Sequence, residues 1–204
     1  MKLETAAMPR IAKKLDLDLP DYENLRREAQ EAVQNELSQR RRMDDRIELA
    51  AHIIRQADAE IALHADDRNA ALASLFLYDH YEGRHLGLMA GVTKNNVREI
   101  LSQAVYGDRK RTLPPRMSEE EMTELAREHK VSHVKKSPGE TLRSAGTVIE
   151  TAKARRAVAV TAMQNAALVL HDTDVSLADI ANKVGVSRKL IWQHVAAARK
   201  RRGY

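Results

Sequence analysis

Apolar residues recur every three or four positions along most of this 204-residue chain, which is the spacing of one buried face of an α-helix. Glycine and proline are scarce, with 8 and 5 residues, and no stretch alternates as a half-buried strand does. The pattern therefore predicts an all-α protein. The longest stripe lies within residues 21–65, and its members are Tyr22, Leu25, Ala29, Ala32, Leu37, Ile47, Ala51, Ile54 and Ile61.

A second pattern, in residues 176–195, predicts a helix, a sharp turn and another helix. Ala181 is a small residue that lets two helices cross closely. Gly185 follows four residues later and can adopt the left-handed conformation that a sharp turn needs, and Ser187 is a favourable N-cap for the second helix. The apolar residues expected between the two helices are Val184, Val186 and Ile191.

The same pattern occurs a second time, in residues 83–101. Gly87 takes the place of the small alanine, Gly91 that of the turn glycine and Thr93 that of the capping serine. Each segment is preceded by an apolar helical stretch that would complete a three-helix domain, and these stretches are residues 69–81 and 157–170.

Both segments resemble the helix-turn-helix units of bacterial and phage DNA-binding proteins. The C-terminal one is similar to the DNA-binding domains of resolvases and invertases and to the promoter-binding unit of sigma factors. The resemblance implies that the second helix of each segment lies in the major groove of duplex DNA. The residues expected to contact DNA are Thr93, Lys94, Asn95 and Arg98 in the internal segment, and Ser187, Arg188, Lys189, Trp192 and Gln193 in the C-terminal one.

Charge is distributed unevenly along the chain, whose formal net charge is +5. Residues 1–70 carry 12 basic and 15 acidic side chains, a net of −3, whereas residues 71–204 carry 22 and 14, a net of +8. A strongly basic end is typical of phosphate contact. The tail residues expected to make this contact are Arg199, Lys200, Arg201 and Arg202.

Helix-capping residues and a proline-containing linker divide the chain into segments. Asp66 and Asp67 are expected to cap the leading helix of the first helix-turn-helix domain. Residues 107–117 contain two prolines and four basic residues, the composition of an interdomain linker. Ser118 and Glu121 have the spacing of a capping box, which predicts a short helix after them. The expected segments are a tail and helical arm (1–65), a first helix-turn-helix domain (66–107), a linker with a short helix (108–140) and a C-terminal helix-turn-helix domain with a basic tail (141–204).

The helical arm has two interpretations. Its apolar stripe is interrupted by the polar run 40–46, which predicts a long helix or a helical hairpin. The stripe can form a coiled-coil seam in a homodimer through residues 21–65, as suits a protein that matches two half-sites. It can instead fold back on the first helix-turn-helix domain and complete its core, which leaves a monomer that uses both domains on one extended site.

The sequence offers no pattern for catalysis, a metal or a cofactor. It has no cysteine, no Gly-rich phosphate loop and no nucleophile elbow. His129 and His133 lie where a helix gives way to a loop and lack a third ligand. His80 and His85 are five residues apart with Gly83 between them, unlike the paired-histidine zinc motif. We therefore expect a protein that is not an enzyme and needs neither a metal nor a cofactor.

The sequence also indicates a location for the protein and whether its activity depends on a ligand. No apolar run approaches the roughly 20 residues needed to span a bilayer, and the first 19 residues lack the apolar core of a secretory signal. The expected location is the cytoplasm, in association with the nucleoid. No pattern indicates a ligand pocket, which favours a constitutive DNA binder.

These observations predict a sequence-specific binder of double-stranded DNA, a transcriptional regulator of bacterial, phage or plasmid type with two reading helices. An architectural or partition protein that bridges duplexes would share every local feature. A sigma-factor-like protein that binds RNA polymerase is the third alternative. Promoter melting, however, relies on aromatic residues that stack on unpaired bases, and the seven aromatic residues of this chain form no basic-aromatic cluster.

Overall fold

The computed structural model describes residues 13–203, and within that range the protein is all-α, as predicted. The N-terminal tail expected in the sequence lies, for residues 1–12, outside the described residues. The described range contains no strand, only a single β-bridge between Lys13 and Tyr81. Its eight helices are α1 (Tyr22–Ser38), α2 (Met43–Leu77), α3 (Gly83–Met89), α4 (Lys94–Tyr106), α5 (Glu119–Glu128), α6 (Pro138–Asp172), α7 (Leu177–Val184) and α8 (Arg188–Arg202).

The chain forms two compact units, and each is assembled from two separate parts of the sequence. Among the described residues, the internal unit contains 13–20 together with Asp66–Gly146. The C-terminal unit contains Asp21–Ala65 together with the chain from Thr147 onward. The long helices α2 and α6 each contribute one end to each unit. The expected division into four consecutive segments is therefore corrected, because neither unit is continuous in sequence.

The core of the C-terminal unit is built from α1, the first part of α2, the last part of α6, and the pair α7 and α8. Much of the apolar stripe of the helical arm is buried here, and Leu37 of α1 and Ile47 of α2 are no more than 5 % exposed. Ala32 of the predicted stripe is exposed instead, and its neighbour Val33 is buried. The arm thus completes a core, but around α7 and α8 instead of the first helix-turn-helix domain. An intramolecular core therefore accounts for the buried part of the stripe.

The core of the internal unit is built from the end of α2, from α3, α4 and α5, and from the start of α6. Leu113 and Met117 pack against this core, so residues 107–117 belong to the unit and are not an interdomain linker. Fully buried side chains of this core include Leu72, Leu75, Leu77, Leu86, Met89 and Leu142.

No helix in the described range is both long and apolar enough to cross a membrane.

The two units have equivalent parts. Helices α2 and α6 are 35 residues long, and each is followed by a short helix, a turn and a longer helix. The turn glycines Gly91 and Gly185 lie 94 residues apart. The first repeat is α1 to α4 and the second is α5 to α8. The internal unit takes the end of α2, α3 and α4 from the first repeat, and α5 and the start of α6 from the second. The C-terminal unit takes the end of α6, α7 and α8 from the second repeat, and α1 and the start of α2 from the first.

Local capping signals account for some helix ends but not for others. Ser118 caps α5 as predicted, because its Oγ accepts from the Glu121 N–H at 3.1 Å and the Glu121 carboxylate accepts from the Ser118 N–H at 2.6 Å. Asp66 and Asp67, in contrast to the expected cap, lie inside α2. That helix already begins at Met43, so no free N–H groups remain at the two aspartates to be capped.

A buried carboxylate joins α1 to α6 within the C-terminal unit. Glu150 is 6 % exposed, and its oxygens accept from Arg26 Nε at 3.0 Å and from Lys153 Nζ at 2.8 Å. Burial opposes the charge on Glu150, but the hydrogen bonds from Lys153 and Arg26 outweigh this effect. They hold the pKa of the Glu150 carboxyl below its ordinary value of 4.5.

We expect Glu150→Gln to lower the free energy of unfolding at pH 7 by about 1–2 kcal/mol, because it weakens two charge-assisted hydrogen bonds whose donors remain half exposed. Since the pKa is lower in the folded state, the carboxylate stabilises the protein above pH 4.5. This contribution disappears as the pH falls through the folded value. Urea denaturation from pH 7 down to about pH 3 should show the difference between parent and variant shrinking; a constant difference would contradict the assignment.

Candidate nucleic-acid interface

Helices α7 and α8 meet at a short turn, at the position that the sequence predicts. Gly185 has φ 70° and ψ 38°, a left-handed conformation that glycine adopts without strain. The Val186 N–H donates to the Ala181 carbonyl oxygen at 3.1 Å, which closes the end of α7. Ser187 then caps α8 by accepting from the Leu190 N–H at 3.2 Å. The turn and the cap together define where α8 begins and which side chains lie on its first turn.

The two faces of α8 have opposite character. Ile191, Val195 and Ala198 are no more than 4 % exposed and lie in the core of the unit. The side chains on the other side are exposed, and Trp192 is 59 % exposed. Within the described range, these exposed side chains have no hydrogen-bond or ion-pair partner. They are Arg188, Lys189, Trp192 and Gln193, all of them expected to contact DNA.

Helix α2 supports the end of α7 through two polar contacts that the sequence does not indicate. Arg55 Nη1 donates to the Val184 carbonyl oxygen at 3.0 Å, so it satisfies a terminal carbonyl group of α7. Lys183 forms an ion pair with Asp44. Their hydrogen bond lowers the pKa of the Asp44 carboxyl and raises the pKa of the Lys183 ammonium. The partners lie more than 120 residues apart, so no local signal identifies them.

His194 lies beside the exposed face of α8 and is half buried. Burial lowers the pKa of its imidazole, and the positive charge of Arg156 lowers it further. Both effects favour the neutral form of the His194 ring over its charged form.

The basic residues at the chain end form the last turn of α8 and do not form a separate tail. Arg199 Nη2 lies 3.4 Å from Asp172 Oδ1, and Arg201 donates to the side-chain oxygens of Gln164 and Asn165. These two arginines are held against α6. Lys200 and Arg202, although equally exposed, form no such contact within the described range. The four expected phosphate contacts thus separate into two constrained and two free side chains.

Helices α3 and α4 repeat the same local geometry. The Val92 N–H donates to the Gly87 carbonyl oxygen at 2.9 Å, Gly91 has φ 66°, and Thr93 caps α4 by accepting from the Asn96 N–H at 3.3 Å. The expected DNA-contacting side chains of this helix are exposed and unpaired within the described range. They are Lys94, Asn95 and Arg98.

Gly87 occupies the position that Ala181 has in the C-terminal pair, and a steric reason favours glycine there. A Cβ atom at this position would lie 3.0 Å from Val97 Cγ2 and 3.1 Å from the Val92 carbonyl oxygen. Both distances are tighter than ordinary van der Waals contact, and the backbone oxygen cannot move without opening the turn. The glycine therefore leaves room for Val97 of α4 and for the backbone of the turn.

Two of the four histidines that stand out in the sequence, His129 and His133, contact aromatic rings. His133 stacks on Tyr78 with ring centroids 4.4 Å apart, and His129 meets Tyr106 edge to face at 5.0 Å. Among the described residues, no group of three or more histidine, aspartate or glutamate side chains is placed to hold a metal ion.

No protein-family model, curated protein or solved structure matches the chain significantly. The functional interpretation therefore depends on the residues and geometry of the two helix pairs.

Proposed function

We propose that this protein is a sequence-specific double-stranded DNA-binding protein, a transcriptional regulator of bacterial, phage or plasmid type, that reads DNA through α8. The observation that carries the proposal is the exposed face of α8, a helix that begins directly after the Ser187 cap. Arg188 and Lys189 on this face have no carboxylate partner among the described residues, and such uncompensated charge favours an anionic ligand. The buried opposite face holds the helix rigidly, as base readout requires.

The side chains of this face match the chemistry of the major groove. Arg188 and Lys189 lie in the first turn, the end of a recognition helix that contacts base edges, and both can donate to guanine O6 and N7. Gln193 lies one turn further on and can pair with adenine N6 and N7. Trp192 offers an apolar surface to a thymine methyl group or a sugar. The arrangement suits direct readout of a short half-site.

Helix α4 is proposed as a second reading helix. Its exposed Asn95 can pair with adenine, while Lys94 and Arg98 can contact guanine or phosphate. Because both helices belong to one chain, the second binding event is intramolecular and can raise avidity by roughly 10²–10⁴-fold. A bipartite DNA site is the expected target.

Selection of binding sites from a random duplex library, followed by footprinting, tests this function. The proposal expects one enriched sequence and a discrete, bipartite footprint. Protection that spreads without sequence preference would favour the architectural, duplex-bridging alternative. Binding seen only when RNA polymerase is added would favour the sigma-factor-like alternative.

The basic end of α8 should act through phosphates, and its two pairs of residues should differ. We expect Lys200→Gln with Arg202→Gln to weaken binding to all sequences alike and to reduce the slope of log K against log[salt] by about 0.9 for each phosphate that the variant no longer neutralises. The matched control, Arg199→Gln with Arg201→Gln, changes charge equally, but those side chains are already held by α6. It should reduce the slope less. Equal slopes for the parent and the Lys200/Arg202 variant would show that these side chains are only solvated.

A further inference from the structure

A cleft of about 660 Å³ lies within the internal unit, between α4 and the loop of residues 107–117. Its floor is apolar and includes Phe76, Val97, Leu101 and Leu113. Val97 and Leu101 are no more than 3 % exposed, so the floor is continuous with the core of the unit. The loop forms one wall because Leu113 and Met117 anchor it to that core.

The rim of the cleft is strongly basic. Five cationic side chains line it against two anionic ones, Glu82 and Glu99. None of the five forms an ion pair within the described range, and the Arg111 guanidinium is positioned 3.8 Å from the centroid of the Tyr106 ring. Uncompensated positive charge around a concave site attracts anions. The five cations are Arg84, Lys94, Arg98, Arg109 and Arg111.

We propose that this cleft binds a small organic anion with an aromatic or acyl body, whose carboxylate, sulfonate or phosphate group meets the basic rim. Its volume falls within the range of small-molecule sites, which are largely apolar with a few polar groups that orient the ligand. A duplex backbone carries charge but no apolar body to cover the half-buried side chains Phe76 and Leu113. The apolar floor therefore favours a small molecule over nucleic acid.

The cleft also connects ligand binding to DNA reading, a step that rests on the proposed function. Lys94 and Arg98 line the cleft and are also the proposed DNA contacts of α4. A ligand whose anionic group engages these two side chains competes with DNA for them. The anion is therefore proposed to act as an effector that weakens DNA binding by the internal unit.

The probe for this site is 8-anilinonaphthalene-1-sulfonate, whose fluorescence rises in an apolar site, and its neutral counterpart is N-phenyl-1-naphthylamine, which lacks the sulfonate. The parent should bind the sulfonate more tightly than the neutral compound. The double variant Arg84→Gln, Arg109→Gln should bind the sulfonate about tenfold more weakly, because it removes two charge-assisted contacts. These two arginines are not among the proposed DNA contacts.

The matched control is Arg127→Gln with Lys136→Gln, which removes two exposed charges from the same unit away from the cleft. It should leave sulfonate affinity within about twofold of the parent, and circular dichroism should show that both variants are folded. Equal binding of the two probes, or equal sulfonate affinity in parent and cleft variant, would overturn the proposal. Loss of duplex DNA binding in the cleft variant with unchanged sulfonate affinity would assign the rim to nucleic acid and overturn it as well.

A second titration, with the selected duplex, separates this inference from the proposed function. Sulfonate at a concentration near its Kd for the parent should raise the Kd for DNA in the parent and much less in the cleft variant. Sulfonate binding that depends on the rim, in a protein that binds no DNA, would support the cleft and overturn the proposed function. Sulfonate and DNA that bind without affecting each other would overturn the effector role.

Discussion

Dividing the chain between Thr112 and Leu113 is expected to leave both halves largely unfolded, and mixing the halves is expected to restore the helical fold. The first half contains α1 to α4 and the second contains α5 to α8, but each compact unit requires helices from both. The internal core needs Leu142 of α6, and the C-terminal core needs Ile47 of α2. Each half alone exposes apolar surface that the other half buries, at a cost that scales with its area.

Far-ultraviolet circular dichroism of each half and of the equimolar mixture measures this effect, with sedimentation velocity to establish mass. The control is the intact chain with a protease site inserted at the same position and cleaved after folding. It should stay folded and run as one particle, because the cores do not require that peptide bond. A half that folds by itself as a monomer would contradict the composition of the two units.

The second large effect concerns α8. Arg188→Ala is expected to weaken binding to the selected duplex by about 1–3 kcal/mol, the value of one good bidentate base contact, which is roughly 5- to 150-fold in Kd. Binding to unrelated duplex should fall much less, since only a single charge is removed. Because Arg188 is exposed and unpaired within the described range, the melting temperature should remain nearly unchanged.

The matched control for Arg188→Ala is Arg41→Ala, which removes the same charge from the exposed loop between α1 and α2 of the same unit. Fluorescence anisotropy with labelled selected and scrambled duplexes measures both variants. The control should preserve the ratio of the two affinities, whereas Arg188→Ala should reduce it. A folded Arg188→Ala protein with the parent's ratio would show that Arg188 reads no base.

Sequence reasoning succeeds here where the determining interactions are local. The start of α8 directly after the Ser187 cap and the left-handed turn at Gly185 are confirmed, as is the capping box at Ser118. In each case the residues that form the hydrogen bond or turn lie within a few positions of one another. The exposure of Trp192 follows from helical periodicity once the start of α8 is known.

Sequence reasoning fails where a choice between distant partners decides the structure. The apolar stripe of residues 21–65 shows that one face must be buried, but a dimer seam and an intramolecular core have the same periodicity. Burial against α6, α7 and α8 depends on partners about a hundred residues away. Likewise, the basic and proline-rich composition of residues 107–117 resembles a linker, while two apolar side chains in it are enough to anchor the loop.

The candidate site divides in the same way. The exposed side chains of α4 and α8 follow from the motif spacing, because capped turns set the phase of each helix. The contacts that support α7, from Arg55 and Asp44, have no counterpart in the local sequence. The basic cleft has no local signal either, because it forms only when the loop folds back so that Arg109 and Arg111 line the same cleft as Arg98 of α4.

Trp192 allows the most direct test of DNA reading by α8. It is the single tryptophan of the chain, it is 59 % exposed, and it lies on the proposed reading face. Its accessibility to acrylamide can therefore be measured during titration with duplex DNA, while anisotropy monitors the bound fraction in parallel. The proposed function predicts that the selected duplex shields Trp192 from quenching and that a scrambled duplex shields it much less. Saturation with the selected duplex that leaves the quenching of Trp192 unchanged would contradict it.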